Sequence, residues 1–115
     1  MIKTTIQKGL TLLLALVIGF ASYSQDISTD PGVISQGQSL FGDNCTQCHA
    51  IGSKVVGPAL KGVLNRRDAA WIKSFITNSQ SVIKGGDSYA VKLYNEYGKA
   101  EMPSHQFSDE ELNSV

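Results

Sequence analysis

Apolar residues along this chain form one continuous block and then a series of short stripes at helical spacing. The block is Leu10 to Ala21 (LTLLLALVIGFA), preceded by Lys3 and Lys8. Downstream, Val33, Gly37, Leu40 and Phe41 recur at near-helical intervals and predict a first helix over Val33 to Asp43, with Asn44 as its terminator. Trp71, Ile72, Phe75 and Ile76 make an i, i+1, i+4, i+5 stripe behind Asp68, a good N-cap, and predict a helix through about Asn78. Ala90, Leu93, Tyr94 and Tyr97 mark another helix from about Ser88, stopped by Gly98. Finally Ser108-Asp109-Glu110-Glu111, with Phe107 at N′, is a capping box that opens a last helix only a few residues before Val115. Polar or Gly/Pro-punctuated stretches separate these stripes: a leader at Gln25 to Gly32, a turn at Ile83 to Asp87, and a loop at Lys99 to Gln106 containing Pro103. The expectation is a single small all-α domain.

The first apolar block reads differently from the others. It is too short to span a bilayer comfortably, since a transmembrane helix needs about 20 apolar residues, and the lysines before it supply a positive n-region. Ser22 and Ser24 place small residues where a signal peptidase prefers them, so residues 1–24 are expected to be a cleaved signal peptide, with an uncleaved signal anchor as the alternative. The expected location is periplasmic or otherwise exported. Losing Lys3 and Lys8 leaves eight basic against ten acidic residues, a formal net of −2. Nothing in that balance suggests nucleic acid, which would ask for a basic patch.

Both cysteines of the chain and one of its two histidines fall within Cys45-Thr46-Gln47-Cys48-His49. This C-x-x-C-H arrangement is the attachment signature of c-type haem. On a helical turn, residues three and four apart share a face, so two thiols can form thioethers with the haem vinyls while the adjacent imidazole reaches the iron. Competing readings each lack a partner. A Cys45–Cys48 disulfide would close a very small loop and remove little unfolded-state entropy, a thioredoxin-like pair wants a βαβ context, and structural zinc would have only His105 left as a further nitrogen donor.

A helix with Gly37 and Phe41 running into C-x-x-C-H, then Gly57-Pro58-Ala59-Leu60, and later Glu101-Met102-Pro103, resembles the class I monohaem cytochromes c over roughly Val33 to Val115. The resemblance implies one covalently bound haem c, with His49 as proximal ligand, Pro58 accepting the free imidazole N–H, and Leu60 on the haem face. Arg66, in Asn65-Arg66-Arg67, aligns best with the arginine offered to a haem propionate, and Trp71 could give its indole N–H to the other end of that interaction. Met102, the only methionine left after signal cleavage, is implied as the sixth ligand, with His105 as its competitor. In the family the last helix runs for several turns and crosses the first at the Gly and aromatic positions. Here it stops almost at once, which leaves Gly37 and Phe41 without that partner and suggests a fragment of a longer chain. The run through Ser79-Gln80, Lys84-Gly85-Gly86-Asp87 and Met102 is also similar to monohaem modules at the head of larger respiratory proteins.

The function expected is single-electron transfer between redox partner proteins in a respiratory or periplasmic chain, without enzymatic activity. Two alternatives remain: an electron-transfer module inside a membrane respiratory complex, and a haem sensor or peroxidase-type domain with an open distal position.

Overall fold

The computed structural model describes residues 27–115, so the expected signal peptide lies outside the described residues. Five helices follow in order: α1 (Pro31–Asn44), α2 (Val63–Arg66), α3 (Ala69–Lys84), α4 (Ser88–Glu96) and α5 (Asp109–Ser114). No strand occurs among the described residues, and no helix among them is long and apolar enough to cross a membrane.

α1 begins earlier than its apolar stripe suggests. Asp30 caps it, accepting from the Gly32 and Val33 N–H groups, and Pro31 occupies the first helical turn, where its missing N–H and fixed φ do no harm. Pro31-Gly32 therefore starts a helix and does not end a leader. Asp68 caps α3 through the Trp71 N–H, and Ser108 and Glu111 complete the expected capping box of α5. α2 is a single turn after Gly62, whose φ of +71° places it in the left-handed region where glycine carries no Cβ penalty.

α3 departs most from expectation. Instead of ending at about Asn78 it breaks there and resumes: Asn78 has φ −160° and ψ 86°, and helical geometry continues to Lys84. The Asn78 side chain accepts the Ser81 N–H at 2.9 Å, so it caps the second segment. A residue able to satisfy an orphan helix donor is a natural restart point.

α5, though short, does reach α1. Gly37 is buried, and a Cβ built on it would overlap the Ser114 carbonyl, whose carbon would lie 2.6 Å away. The close approach expected at Gly37 is therefore made by the last residues of the chain, and the expectation that a short α5 leaves Gly37 unpartnered is corrected. Six residues suffice because the missing side chain lets backbone meet backbone. The side chain of Lys73 in α3 also bonds that of Asn113 in α5.

Few side chains are fully covered. Among the described residues, Ala90 (0% exposed) is the buried apolar side chain and Ser79 (1%) the buried polar one. The apolar stripes of α3 and α4, including Trp71, Ile72, Phe75, Ile76, Leu93 and Tyr94, are only half-buried. Helix faces of this composition normally close on something apolar.

Candidate functional site

The cysteines sit where α1 unwinds. Cys45 is the C-cap of α1, its N–H bonded to the Phe41 carbonyl. Its own carbonyl then accepts from both Cys48 N–H (3.1 Å) and His49 N–H (2.9 Å). This is the single helical turn that C-x-x-C-H demands, and on such a turn residues three and four apart share a face. Cys45 and Cys48 are half-buried and not joined to each other in a disulfide, and in the unattached thiol burial pushes Cys45 up from its ordinary value.

From there the chain folds back on itself. Gly57 N–H bonds Cys48 O (2.8 Å), Leu60 N–H bonds Ala50 O (3.1 Å), and Lys61 N–H bonds Ile51 O (2.7 Å). The fold-back brings Pro58 O to 3.1 Å from His49 Nδ1. A carbonyl can only accept, so this bond places the proton on Nδ1 and leaves the Nε2 lone pair free to bind a metal. Gly57 makes the arrangement possible: a Cβ there would come within 2.9 Å of His49 Nδ1 and 3.0 Å of Nε2.

Arg66, the arginine that the resemblance aligns with a propionate, lies at the proximal loop. Its Nη1 donates to Lys61 O and its Nη2 to Ala59 O, both at 2.9 Å, so the guanidinium closes that loop. Arg67 is the arginine turned inward. Its guanidinium carbon lies 3.9 Å from the Tyr89 ring centroid and 5.5 Å from that of Trp71, and its Nε is buried without a partner among the described residues. Trp71 gives its indole N–H to Asp87 Oδ2 at 3.1 Å, a carboxylate of the chain itself. Trp71 also stacks on Phe75 (centroids 4.8 Å) and meets Tyr89 edge-on (5.4 Å). Asp87 caps α4 through the Ala90 N–H at 2.8 Å. That bond, then the Trp71 N–H and the charge of Arg67, hold its carboxyl below the ordinary range against the opposing effect of burial.

Nearer the middle of α3, the 102–105 loop carries Met102 and His105, both half-buried. Ser79 Oγ donates to Met102 O at 2.8 Å, and His105 N–H donates to Ile76 O at 3.1 Å. The His105 ring is stacked on Phe107, centroids 5.2 Å apart and planes within 16°.

These residues fit a flat, covalently held haem. Two adjacent thiols and an oriented imidazole are the donor set that such a group needs. The half-covered apolar faces of α3 and α4, with Leu60 half-buried beside the proximal loop in sequence, offer the surface that a macrocycle requires. Two buried nitrogens, Arg67 Nε and Gln80 Nε2, lack partners among the described residues, as expected where a polar edge of a bound group completes the bonding. Fold and site together define a small helical c-type haem protein.

Comparison with known proteins agrees. The family model for cytochrome c matches residues 34–115, and the chain belongs to that family. The structure is similar to a cytochrome c from Rhodothermus marinus (30% identity, TM-score 0.69, covering 81% of this chain and 77% of that one). It is also similar to an engineered form of that cytochrome bound to a carbene intermediate (29%, 0.66, 81% and 77%). A third similar structure is the cytochrome c domain of a protein from Pseudomonas putida (26%, 0.58, 68% and 78%). No match is found among curated protein sequences. The chain therefore carries haem c, attached through Cys45 and Cys48, and is an electron-transfer haem protein of all-α fold.

Gly57, Ser79, Asn78, Arg67 and Asp87 emerge as residues that shape the site without having been assigned a site role from the sequence. Gly57 lay within the Gly-Pro-Ala-Leu segment, and its packing against His49 is the physical content of that glycine. Ser79 and Asn78 fell where a helix was expected to end, a position that conceals a loop contact.

Proposed function

We propose that this chain is an exported carrier of single electrons, with iron held between His49 and Met102 in a closed site. Bound haem c supplies a one-electron iron couple whose potential follows its axial ligands, hydrogen bonding and burial. The observation that carries the reading is that the chain itself anchors both candidate ligand residues. Pro58 O fixes the His49 ring through Nδ1, and Ser79 Oγ fixes the Met102 backbone through its carbonyl. A ligand anchored before iron binds leaves little to reorganise when the charge on the iron changes.

The Cys45–His49 turn ties the cofactor to the end of α1, and the stripes of α3 and α4 exclude water from its faces. Arg66 keeps the proximal loop closed by holding the Ala59 and Lys61 carbonyls. The His105 ring is engaged by stacking on Phe107, which favours Met102 over His105 as the distal ligand. Redox proteins would serve as donor and acceptor, and residues 1–24, read as a signal peptide, would bring the chain to the periplasm or its equivalent.

Voltammetry of the holoprotein together with carbon monoxide addition tests this function. A reversible one-electron wave and a ferrous spectrum unchanged by carbon monoxide are expected. Rapid carbon monoxide binding would show an open distal position and favour sensing or catalysis. For export, the intact mass of secreted protein should lack residues 1–24.

A further inference from the structure

The break in α3 lies against the loop that carries Met102, and the two are joined by more than proximity. Three bonds converge there. Asn78, extended at the break, caps the restarted helix through Ser81 N–H at 2.9 Å. Ser79, only 1% exposed, donates its hydroxyl to Met102 O at 2.8 Å. Ile76, two residues before the break, accepts His105 N–H at 3.1 Å. The loop is therefore pinned on both sides of Pro103-Ser104, and Pro103 itself restricts the backbone of Met102 to extended conformations. A regular helix through residue 78 would direct the Ile76 carbonyl along the helix, toward the N–H four residues on.

We propose that this break is a clamp for the distal loop and that Ser79 is a positioning residue for Met102, a role that rests on Met102 being the sixth ligand. The clamp acts on the backbone of the ligand residue. It sets how readily the Met102 thioether leaves the iron and not whether the haem is attached, which is the work of Cys45 and Cys48. Ser79 is the most buried polar side chain among the described residues, and its hydroxyl is spent on this one carbonyl. Two other hydroxyls of α3 bond within their own helix: Thr77 Oγ1 donates to Lys73 O at 2.8 Å and Ser74 Oγ to Ala70 O at 2.9 Å.

The test is competition for the distal position in the ferric holoprotein. Imidazole is titrated in while the weak near-infrared band that reports iron–methionine ligation is followed. Removing one hydrogen bond and stranding its acceptor should loosen Met102 enough for Ser79→Ala to bind imidazole about tenfold more tightly than wild type. Thr77→Ala loses a bond in the same helix that does not touch the loop, so it should lower the denaturation midpoint and leave imidazole affinity unchanged. Wild-type affinity in Ser79→Ala, or an equal gain in Thr77→Ala, overturns the clamp. Absence of the band from the wild-type protein overturns the Met102 reading beneath it, which separates the two failures. Should Ser79→Ala fail to assemble, amide exchange on the wild-type holoprotein decides. A slowly exchanging His105 N–H that loses protection when imidazole displaces Met102 supports the clamp, and an unprotected His105 N–H removes it.

Discussion

Replacing Gly37 by alanine should destabilise the holoprotein, although alanine is the better helix former. In an exposed helix the exchange gains about 0.5–1 kcal/mol from reduced unfolded-state freedom. At Gly37 the new Cβ would overlap the Ser114 carbonyl, with the Ser114 carbon at 2.6 Å and the Val115 nitrogen at 3.3 Å. These are backbone atoms and cannot rotate aside, so α5 as a whole must move off α1. Overpacking costs about 1–3 kcal/mol; a clash of backbone with backbone falls in the upper part of that range, about 2–3 kcal/mol, leaving a net loss of about 1–2.5 kcal/mol once the propensity gain is subtracted. For a domain of this size that corresponds to a fall in Tm of about 4–20 °C. Gly42, also in α1, is the internal control: a Cβ there meets nothing within 4 Å, so Gly42→Ala should raise Tm by about 2–8 °C. Thermal unfolding of both variants, followed by far-ultraviolet circular dichroism with haem attached, makes the comparison. A Gly37→Ala protein as stable as wild type, or a shift of the same sign in both variants, would refute the α1–α5 crossing.

Two further outcomes follow from the same geometry. Gly57→Ala should displace the His49 ring from Pro58 O, giving poor haem maturation or, in protein that does mature, an altered potential and Soret band; an unchanged spectrum and potential would contradict the packing at Gly57. Asp87 has its carboxyl held below the ordinary value by the Ala90 N–H, the Trp71 N–H and Arg67, so the stability it contributes is complete above about pH 4, the unfolded value, and is lost as pH falls through the lower folded value. Denaturant midpoints measured downward from neutral pH should therefore fall less steeply in Asp87→Asn than in wild type, and parallel profiles would remove Asp87 from the acid response.

What the sequence made legible was local chemistry. The C-x-x-C-H turn, the capping box at Ser108 and Glu111, and the Asp68 cap are each written within a few residues, because hydrogen bonds between near neighbours depend on little else. The helical stripes also carried the fold class, since burial repeats with the helix period. Long-range pairings were not legible: Trp71 with Asp87 and Ser79 with Met102 are 16 and 23 residues apart, Gly37 and Ser114 are farther apart still, and no periodicity records who meets whom. The two arginines show the limit clearly. Arg66 and Arg67 are adjacent and chemically identical, and only the fold-back of residues 57–61 decides that Arg66 closes the loop while Arg67 turns toward Trp71 and Tyr89. Asn78 was readable as an end of helix. That it is also a beginning depends on the 102–105 loop lying against it.

The central claim is that Met102 completes the iron's coordination opposite His49. The most direct measurement is the near-infrared spectrum of the ferric holoprotein in wild type, Met102→Ala and His105→Ala. The iron–methionine band should be present in wild type, absent in Met102→Ala and retained in His105→Ala. A band lost in His105→Ala but kept in Met102→Ala, or absent from wild type, would contradict the account.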